Sequence, residues 1–226
     1  MSDPGSPEAG AASSQDPPSE PARPSYADID PSAVSILVDE DIHKPLGTGF
    51  YFLQRHFFVS AKHVVEHRDT GAARRNLVLV QNGPHYPKAE VVFRHPTLDL
   101  AVLTIDQPGC KTPLYPSDQH LATKGGLRYW GYAPSLSYPD RNFYGVLVGG
   151  PTEYVDEPAR HRDDGTERLL RFEGARYEPG HSGGPVIGTW GGVVGVIIEG
   201  DNDNGRWFRA TEISALLPYV SFAFPP

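Results

Sequence analysis

From Val34 onward, the sequence alternates between short β-rich runs and clusters of turn residues. Valine, isoleucine and aromatic residues favour extended backbone, and Gly, Pro, Asp and Asn favour the turns that end each run. The predicted strands are 34–39, 48–54, 56–61, 76–81, 89–94, 100–105, 125–132, 142–148, 168–174, 184–188, 192–199 and 206–211. The pattern predicts an all-β fold that ends in one short helix over residues 212–217, with Thr211 as its N-cap and Pro218 closing it.

The first 25 residues differ in composition from the rest of the chain. They are rich in Pro, Ser, Ala and Gly and contain one large apolar side chain, that of Met1. Such a segment cannot bury enough apolar surface to offset its loss of chain entropy, so residues 1–25 are predicted to form a disordered tail. The composition of the whole chain, 38% hydrophobic and 21% charged, is that of a globular protein.

Cysteine content and charge limit the compartment and the partners of the protein. Cys110 is the single cysteine, so no intrachain disulfide can form. The N-terminus lacks the basic and apolar segments of a secretory signal, and together these features predict a cytoplasmic protein. The net charge of −8 argues against nucleic acid as a partner, because binding to phosphates needs a basic surface. No apolar run approaches the roughly 20 residues that cross a bilayer, so we expect no membrane association.

Three polar stretches occur in an order that is typical of acyl-transfer sites. They read SAKH at residues 60–63, TLDLA at 97–101 and PGHSGGP at 179–185. A serine hydroxyl is a weak nucleophile at neutral pH and needs an adjacent base, which an imidazole can supply. A buried carboxylate can hold that imidazole in the reactive tautomer. The candidate catalytic residues are therefore the histidine, aspartate and serine of these stretches: His63, Asp99 and Ser182.

These stretches, together with GTGF at residues 47–50, resemble a trypsin-like serine peptidase of the chymotrypsin fold. The resemblance extends from about residue 33 to residue 220, and in character it is closest to disulfide-free bacterial members of the family. It implies two six-stranded antiparallel β-barrels with the active site in the cleft between them. The predicted strands divide six and six in agreement with this architecture.

The resemblance also implies a division of the chain. Residues 26–110 are expected to form an N-terminal barrel that carries His63 and Asp99. Residues 111–226 are expected to form a C-terminal barrel that carries Ser182. The site would then assemble from both barrels.

The implied function is that of an intracellular serine endopeptidase that acylates Ser182 and then hydrolyses the acyl-enzyme. No metal or organic cofactor is implied, and the expected partner is a protein or peptide substrate. The backbone N–H groups of Gly180 and Ser182 are expected to form the oxyanion hole, since glycines allow the unusual dihedral angles of such a turn. Two alternatives share the fold: a weak or inactive module that acts as a peptide-binding scaffold, and an esterase-type hydrolase.

Substrate contacts are predicted on both sides of the serine. Ile198, Glu199 and Gly200 resemble the strand that pairs with the substrate backbone by β-strand addition. Arg176 aligns with the floor of the primary specificity pocket, where a buried guanidinium favours an acidic substrate side chain. The alternative for Arg176 is pairing with Glu199 or exposure to water. The charged stretch 153–168 is predicted to be an exposed loop that could bind a regulatory protein.

Two positions depart from the family pattern. His181 stands where the family usually has Asp or Asn, which predicts that zymogen-style activation is absent and leaves the geometry of the oxyanion hole open. Ile198 stands where trypsin has a serine near the catalytic carboxylate. Its presence removes one support for Asp99 and keeps the scaffold alternative open.

Two other motifs suggest different chemistry. GHSGG at residues 180–184 satisfies the G-x-S-x-G pattern of α/β-hydrolases, but those enzymes place the histidine after the serine and no histidine follows Ser182. HVVEH at residues 63–67 fits a zinc pattern that needs a third ligand and a helix long enough to bring both rings to one face. The β-rich run before it favours a solvated edge for Glu66 and His67, so no metal site is predicted.

Overall fold

The structure, a computed structural model, describes residues 30–42, 44–80, 86–107, 109–110, 112–117, 126–134, 145–155, 169–174, 176–189, 191–201 and 203–223. The predicted tail, residues 1–25, lies outside them. The elements of the first half of the chain are a 3₁₀ turn (Pro31–Ala33), β1 (Val34–Asp39), β2 (Lys44–Tyr51), β3 (Phe57–Ser60), α1 (Lys62–Val65), β4 (Leu77–Val80), β5 (Lys88–Arg94) and β6 (Ala101–Ile105). Those of the second half are β7 (Leu127–Pro134), β8 (Gly145–Val155), β9 (Leu169–Glu173), β10 (Pro185–Ile187), β11 (Val193–Gly200), β12 (Trp207–Glu212), a 3₁₀ helix (Ile213–Leu216) and α2 (Leu217–Ala223).

The first six strands close into an antiparallel barrel in the order β1-β2-β3-β6-β5-β4. Closure depends on β1, which pairs with β2 on one side and with β4 on the other. The interior is filled by branched and aromatic side chains, and the rings of Tyr51 and Phe58 meet edge to face at 5.2 Å. A closed barrel leaves no strand edge to solvent, so the ends of β3 and β6 are rigid platforms for side chains.

The last six strands close into a second antiparallel barrel in the order β10-β11-β12-β9-β8-β7. Its core is aromatic: Phe172 and Phe208 stack with centroids 5.1 Å apart, and Tyr129 lies 5.4 Å from Phe208. The structure thus confirms the predicted fold, with two six-stranded antiparallel barrels and a short C-terminal helix.

One threonine connects the two barrels beside the serine turn. The backbone N–H of Thr48, in β2, donates to the Ser182 carbonyl at 2.8 Å, and its hydroxyl donates to the Gly180 carbonyl at 2.6 Å. The same hydroxyl accepts the N–H of Tyr132, in β7, at 2.9 Å. Thr48 is fully buried, so these three bonds are shielded from water and hold the serine turn against the first barrel.

Strand β8 is longer than predicted. The prediction ended it at residue 148, before two glycines and a proline, whereas the strand continues to Val155 and pairs with β9 through its last three residues. Gly149 lies opposite Trp130, and a Cβ at this glycine would lie 2.6 Å from the indole ring. The glycine therefore makes room for a cross-strand indole rather than ending the strand. Of the predicted loop 153–168, residues 153–155 are strand and 156–168 lie outside the described residues.

The C-terminal helical segment also differs from its prediction. Glu212, not Thr211, occupies the N-cap position of the 3₁₀ helix, and Pro218 is the second residue of α2 rather than its end. A proline is accepted there because the N–H groups of the first helical turn have no intrahelical partner. No helix within the described residues is long and apolar enough to cross a membrane.

Candidate active site

His63 lies on the one-turn helix α1, which begins two residues after β3 ends. Its neighbours Ala61, Val64 and Val65 are buried, and the Val64 N–H bonds the Ala61 carbonyl at 3.2 Å. These buried side chains fix the helix to the first barrel. The His63 side chain itself is 47% exposed, so it projects from the barrel into the cleft.

Asp99 follows β5 and precedes β6, and its carboxylate is nearly buried. Its Oδ2 lies 2.7 Å from His63 Nδ1, and its Oδ1 accepts the backbone N–H of His63 at 2.9 Å. Both oxygens therefore hold the same residue, one at the ring and one at the backbone. An acceptor at Nδ1 places the ring proton on that nitrogen and leaves Nε2 free to accept a proton.

The loop that carries Asp99 is organised by His95, which the sequence prediction did not single out. The His95 N–H bonds the Leu100 carbonyl at 2.9 Å, and its ring Nδ1 accepts the N–H groups of Thr97 at 3.3 Å and Leu98 at 2.9 Å. Burial, and then the charge of Lys62, lower the pKa of His95, which keeps the ring neutral and able to accept. A histidine four residues before the aspartate in a tight loop was the available signal.

Ser182 lies in a turn of the second barrel between two glycines of positive φ, Gly180 at 101° and Gly183 at 89°. A Cβ at Gly183 would overlap the Thr48 carbonyl, so this position needs both the conformation and the size of glycine. The Ser182 hydroxyl lies 3.3 Å from the Ile198 carbonyl and 3.4 Å from the Tyr177 hydroxyl. Within the described residues it makes no hydrogen bond to His63.

The backbone donors of this turn fall into two groups. The N–H of His181 bonds the Glu178 carbonyl at 3.1 Å, and that of Gly183 bonds the Ile197 carbonyl at 2.7 Å. Across the part of the chain that the structure describes, the N–H groups of Gly180 and Ser182 make no internal hydrogen bond. The two predicted oxyanion donors are thus the ones that remain available to a ligand.

His181 is a buried neutral residue rather than a charged one. Its Nδ1 accepts the Glu178 N–H at 3.2 Å, and burial lowers the pKa of its ring to about 4. The ring packs against Tyr129, at 5.7 Å between centroids, and against Gly131, where a Cβ would lie 2.8 Å from it. The neutral imidazole of His181 therefore stabilises the serine turn by one hydrogen bond and by packing.

A cleft of about 820 Å³ lies between the barrels on the side of His63. It is lined by Leu46 and His63 of the first barrel and by Leu169, Ile198 and Glu199 of the second. Charged groups of both signs line its rim, and the Glu199 carboxylate is held by the Arg209 guanidinium at 2.7 Å. A cleft with apolar and charged walls from both barrels suits an extended chain with mixed side chains.

The structure agrees with the alternative stated for Arg176, exposure to water, and does not place this residue at a pocket floor. Its side chain is 83% exposed, and its Nε lies 2.9 Å from the Glu178 carboxylate rather than near Glu199. An exposed guanidinium paired to a neighbour does not form the buried cationic floor that an acidic preference requires. The next residue, Tyr177, is the one that reaches the serine, and the sequence prediction did not identify it.

The zinc pattern does not assemble in the structure. Helix α1 ends at Val65, so His67 lies outside it, and the Glu66 carboxylate accepts a hydrogen bond from Arg94 at 2.8 Å. Among the residues described, no group of three or more His, Cys, Asp or Glu side chains could hold a metal ion.

Comparison with known structures identifies the same fold in several proteases. The active form of the Rv3671c protease from M. tuberculosis has a TM-score of 0.62 at 21% identity, covering 84% of this chain and 80% of that chain. Mouse neuropsin, a serine protease, has a TM-score of 0.63 at 12% identity, covering 85% and 94%. The HtrA-type protease AlgW has a TM-score of 0.58 at 17% identity, covering 84% and 63%. At these identities the likeness concerns the fold.

Sequence comparison identifies the family. Comparison with curated proteins gives no match. A family model described as the trypsin-like peptidase domain matches residues 47–196, which is more than half of the chain and includes the histidine, the aspartate and the serine. The chain therefore belongs to the trypsin-like peptidase family, and its enzyme class is that of a serine-type endopeptidase.

Proposed function

We propose that this chain cleaves peptide bonds through a triad of Ser182, His63 and Asp99 and an acyl-enzyme intermediate. The observation that carries the proposal is the pair of hydrogen bonds that the ring and the backbone N–H of His63 donate to Asp99. This arrangement orients one imidazole with its Nε2 free, and it does so at the barrel surface that faces the serine turn. A structural histidine would not need a buried carboxylate on both of its donors.

The reaction begins with a rotation of Ser182. Its hydroxyl is bonded to the Ile198 carbonyl, a weak contact at 3.3 Å. The proposed mechanism requires a turn about the Cα–Cβ bond that brings this oxygen to His63 Nε2. The serine oxygen then bonds to the substrate carbonyl carbon while His63 takes its proton. His63 returns that proton to the leaving amine, and water hydrolyses the ester by the same steps.

Charge that develops on the carbonyl oxygen is stabilised by the N–H groups of Gly180 and Ser182. Both lack an internal acceptor within the described residues, and each such donor contributes about 3–4 kcal/mol to transition-state stabilisation. His181 does not disturb the two donors, because its own N–H points to Glu178.

The substrate backbone is proposed to pair with Ile198, Glu199 and Gly200. Strand β10 pairs with β11 only as far as Val196, so among the described strands none pairs with the edge beyond it on that side. An extended peptide can add there and present its carbonyl to the serine. This geometry supports an endopeptidase over an esterase for small molecules.

Wild type and Ser182→Ala test the proposal on a casein substrate and with a fluorophosphonate probe. We expect the wild type to be labelled at Ser182 and to cleave casein, and we expect the variant to lose at least about a thousandfold in activity. Labelling with ester hydrolysis but no cleavage of any protein would favour the esterase, and absence of labelling in folded protein would favour the scaffold. Undiminished proteolysis by the variant would reject the triad.

The location is proposed to be the cytoplasm of a bacterium. The single cysteine supports this, since no disulfide within the chain is available for an oxidising compartment. Fractionation of the native host with an antibody against the chain tests the location. Recovery of the protein in the extracellular fraction would contradict it.

A further inference from the structure

Tyr177 occupies the space between the serine turn and the end of β11. Its side chain is buried, and its ring lies directly on Gly200, where an added Cβ would overlap the ring carbons. Its N–H bonds the Gly205 carbonyl at 2.8 Å, and the His181 ring meets it edge-on at 5.7 Å. The ring is thus packed against Gly200 and His181, and it belongs to the core of the second barrel.

The tyrosine hydroxyl ends next to the nucleophile. It lies 3.4 Å from the Ser182 oxygen, so no atom of a substrate side chain fits between the ring and the serine on this side. Glycine at position 200 leaves room for the Tyr177 ring, since any larger residue would displace the ring. The pair of Tyr177 and Gly200 therefore closes a volume that a smaller residue at position 177 would leave open.

That volume is where the substrate side chain nearest the reacting carbonyl must go. The carbonyl carbon has to approach the Ser182 oxygen with its own oxygen toward the Gly180 and Ser182 N–H groups. The chain before it then runs along Ile198 to Gly200 as an added strand. In this orientation the side chain before the scissile bond points between the serine turn and Gly200, onto the Tyr177 ring.

We propose that Tyr177 restricts cleavage to peptide bonds preceded by a residue with a small side chain, such as Gly, Ala or Ser. The ring fills the subsite that a large side chain would occupy, and the packing around it opposes rotation out of the site. This specificity rests on the proposed function, because it uses Ser182 as the nucleophile. It replaces the acidic preference that the exposed Arg176 does not support.

The test compares peptide amides that differ only in the residue before the scissile bond: Ala, Leu and Phe. We expect kcat/KM of the wild type to be at least about tenfold higher for the Ala peptide than for the Phe peptide. A filled subsite rejects a phenyl ring more strongly than it rejects one additional methylene group. We expect Tyr177→Ala to reverse this order, because removal of the ring opens the subsite. Equal cleavage of the Ala and Phe peptides by the wild type would overturn the proposal.

Two further variants distinguish the effect of the ring from that of its hydroxyl and provide for the case in which Tyr177→Ala does not fold. Tyr177→Phe keeps the ring and should keep the preference for Ala, which shows that bulk and not the hydroxyl selects the substrate. Tyr177→Val leaves a smaller void and is expected to accept Leu if Tyr177→Ala does not fold. If none of the shortened variants folds, the wild-type series alone decides the proposal.

The fluorophosphonate probe keeps this proposal distinct from the proposed function. The probe reports the reactivity of Ser182 and does not depend on a peptide side chain. If Ser182 is labelled but wild type and every variant cleave the Ala, Leu and Phe peptides equally well, the role of Tyr177 is rejected and the triad remains intact. Loss of labelling in folded wild type rejects the triad itself.

Discussion

At the scale of single residues, the carboxylate of Asp99 uses both of its oxygens to hold His63. One oxygen accepts from the ring and the other from the backbone, at 2.7 and 2.9 Å. In Asp99→Asn an amide NH₂ replaces one of these acceptors, so the ring is driven toward the tautomer with its proton on Nε2. We expect kcat/KM to fall on the order of 10⁴-fold. Circular dichroism should show the fold unchanged, and retention of more than a tenth of the activity would contradict the role of Asp99.

His181 makes a prediction about stability rather than rate. Burial lowers the pKa of its ring to about 4 in the folded protein, below the ordinary 6.5 of the unfolded chain. The unfolded state therefore binds more protons between these values, so the contribution of His181 is complete above pH 6.5 and is lost as the pH falls toward 4. The loss is on the order of 3 kcal/mol for this one group.

The variant His181→Asn separates the acid-induced loss of stability due to His181 from the loss due to the other histidines. An asparagine keeps an acceptor for the Glu178 N–H but does not titrate, and so denaturant unfolding of wild type and variant should be compared at pH 7 and pH 4.5. We expect the wild type to lose more free energy of unfolding on acidification than the variant. Equal losses in the two proteins would show that the His181 ring binds its proton as readily in the folded protein as in the unfolded chain.

The residues of the site divide by how far the sequence could identify them. His63, Asp99 and Ser182 lie in short motifs whose order along the chain is typical of acyl-transfer sites, so the sequence alone could propose them as catalytic residues. The role of Tyr177 depends on a contact with Gly200, which lies on another strand. Such a role arises from tertiary proximity, and no local spacing records it.

At the scale of elements, the loop between β5 and β6 positions the carboxylate through His95. Its ring holds the N–H groups of Thr97 and Leu98, the two residues before Asp99. His95→Ala removes the acceptor, and we expect kcat to fall by roughly tenfold or more with KM little changed, because the carboxylate moves and the substrate cleft does not. His95→Asn places an amide oxygen close to the position of Nδ1 and should restore most of the rate.

Introducing His95→Ala into the Asp99→Asn protein shows whether His95 acts through Asp99. If it does, His95→Ala should have little further effect on kcat in the Asp99→Asn protein, since the group it positions no longer functions. A full additional loss in that background would assign His95 a general structural role instead. Melting temperatures of the four proteins provide the control for folding.

The strands themselves were largely predictable because their patterns are local. The buried run Val34–Asp39 and the run Ala101–Ile105 match the predicted strands within one residue. The errors fell at residues that usually break a strand or helix but are accommodated here. Gly149 makes room for Trp130 across the sheet, and Pro218 occupies a first helical turn.

At the scale of the whole molecule, the proposed triad depends on how two separately closed barrels are held together. The histidine and aspartate belong to one barrel and the serine to the other, so a shift of either barrel would change the distance across which the proposed proton transfer occurs. Thr48 meets this requirement by bonding the serine turn at two carbonyls and β7 at one N–H. The division into barrels followed from the strand count and the resemblance, whereas this contact between them could be read only from the assembled structure.

Thr48→Val tests the connection between the barrels with almost no change in shape. The methyl group that replaces the hydroxyl leaves the buried Tyr132 N–H without its acceptor, and the Gly180 carbonyl loses its donor. We expect a loss of about 1–3 kcal/mol in the free energy of unfolding. We also expect kcat/KM to fall by at least roughly tenfold, because the Gly180 carbonyl is no longer held beside the oxyanion donors. Thr48→Ser keeps the hydroxyl and should retain most of the activity, so equal activities of the valine and serine variants would show that the barrels are aligned by other contacts.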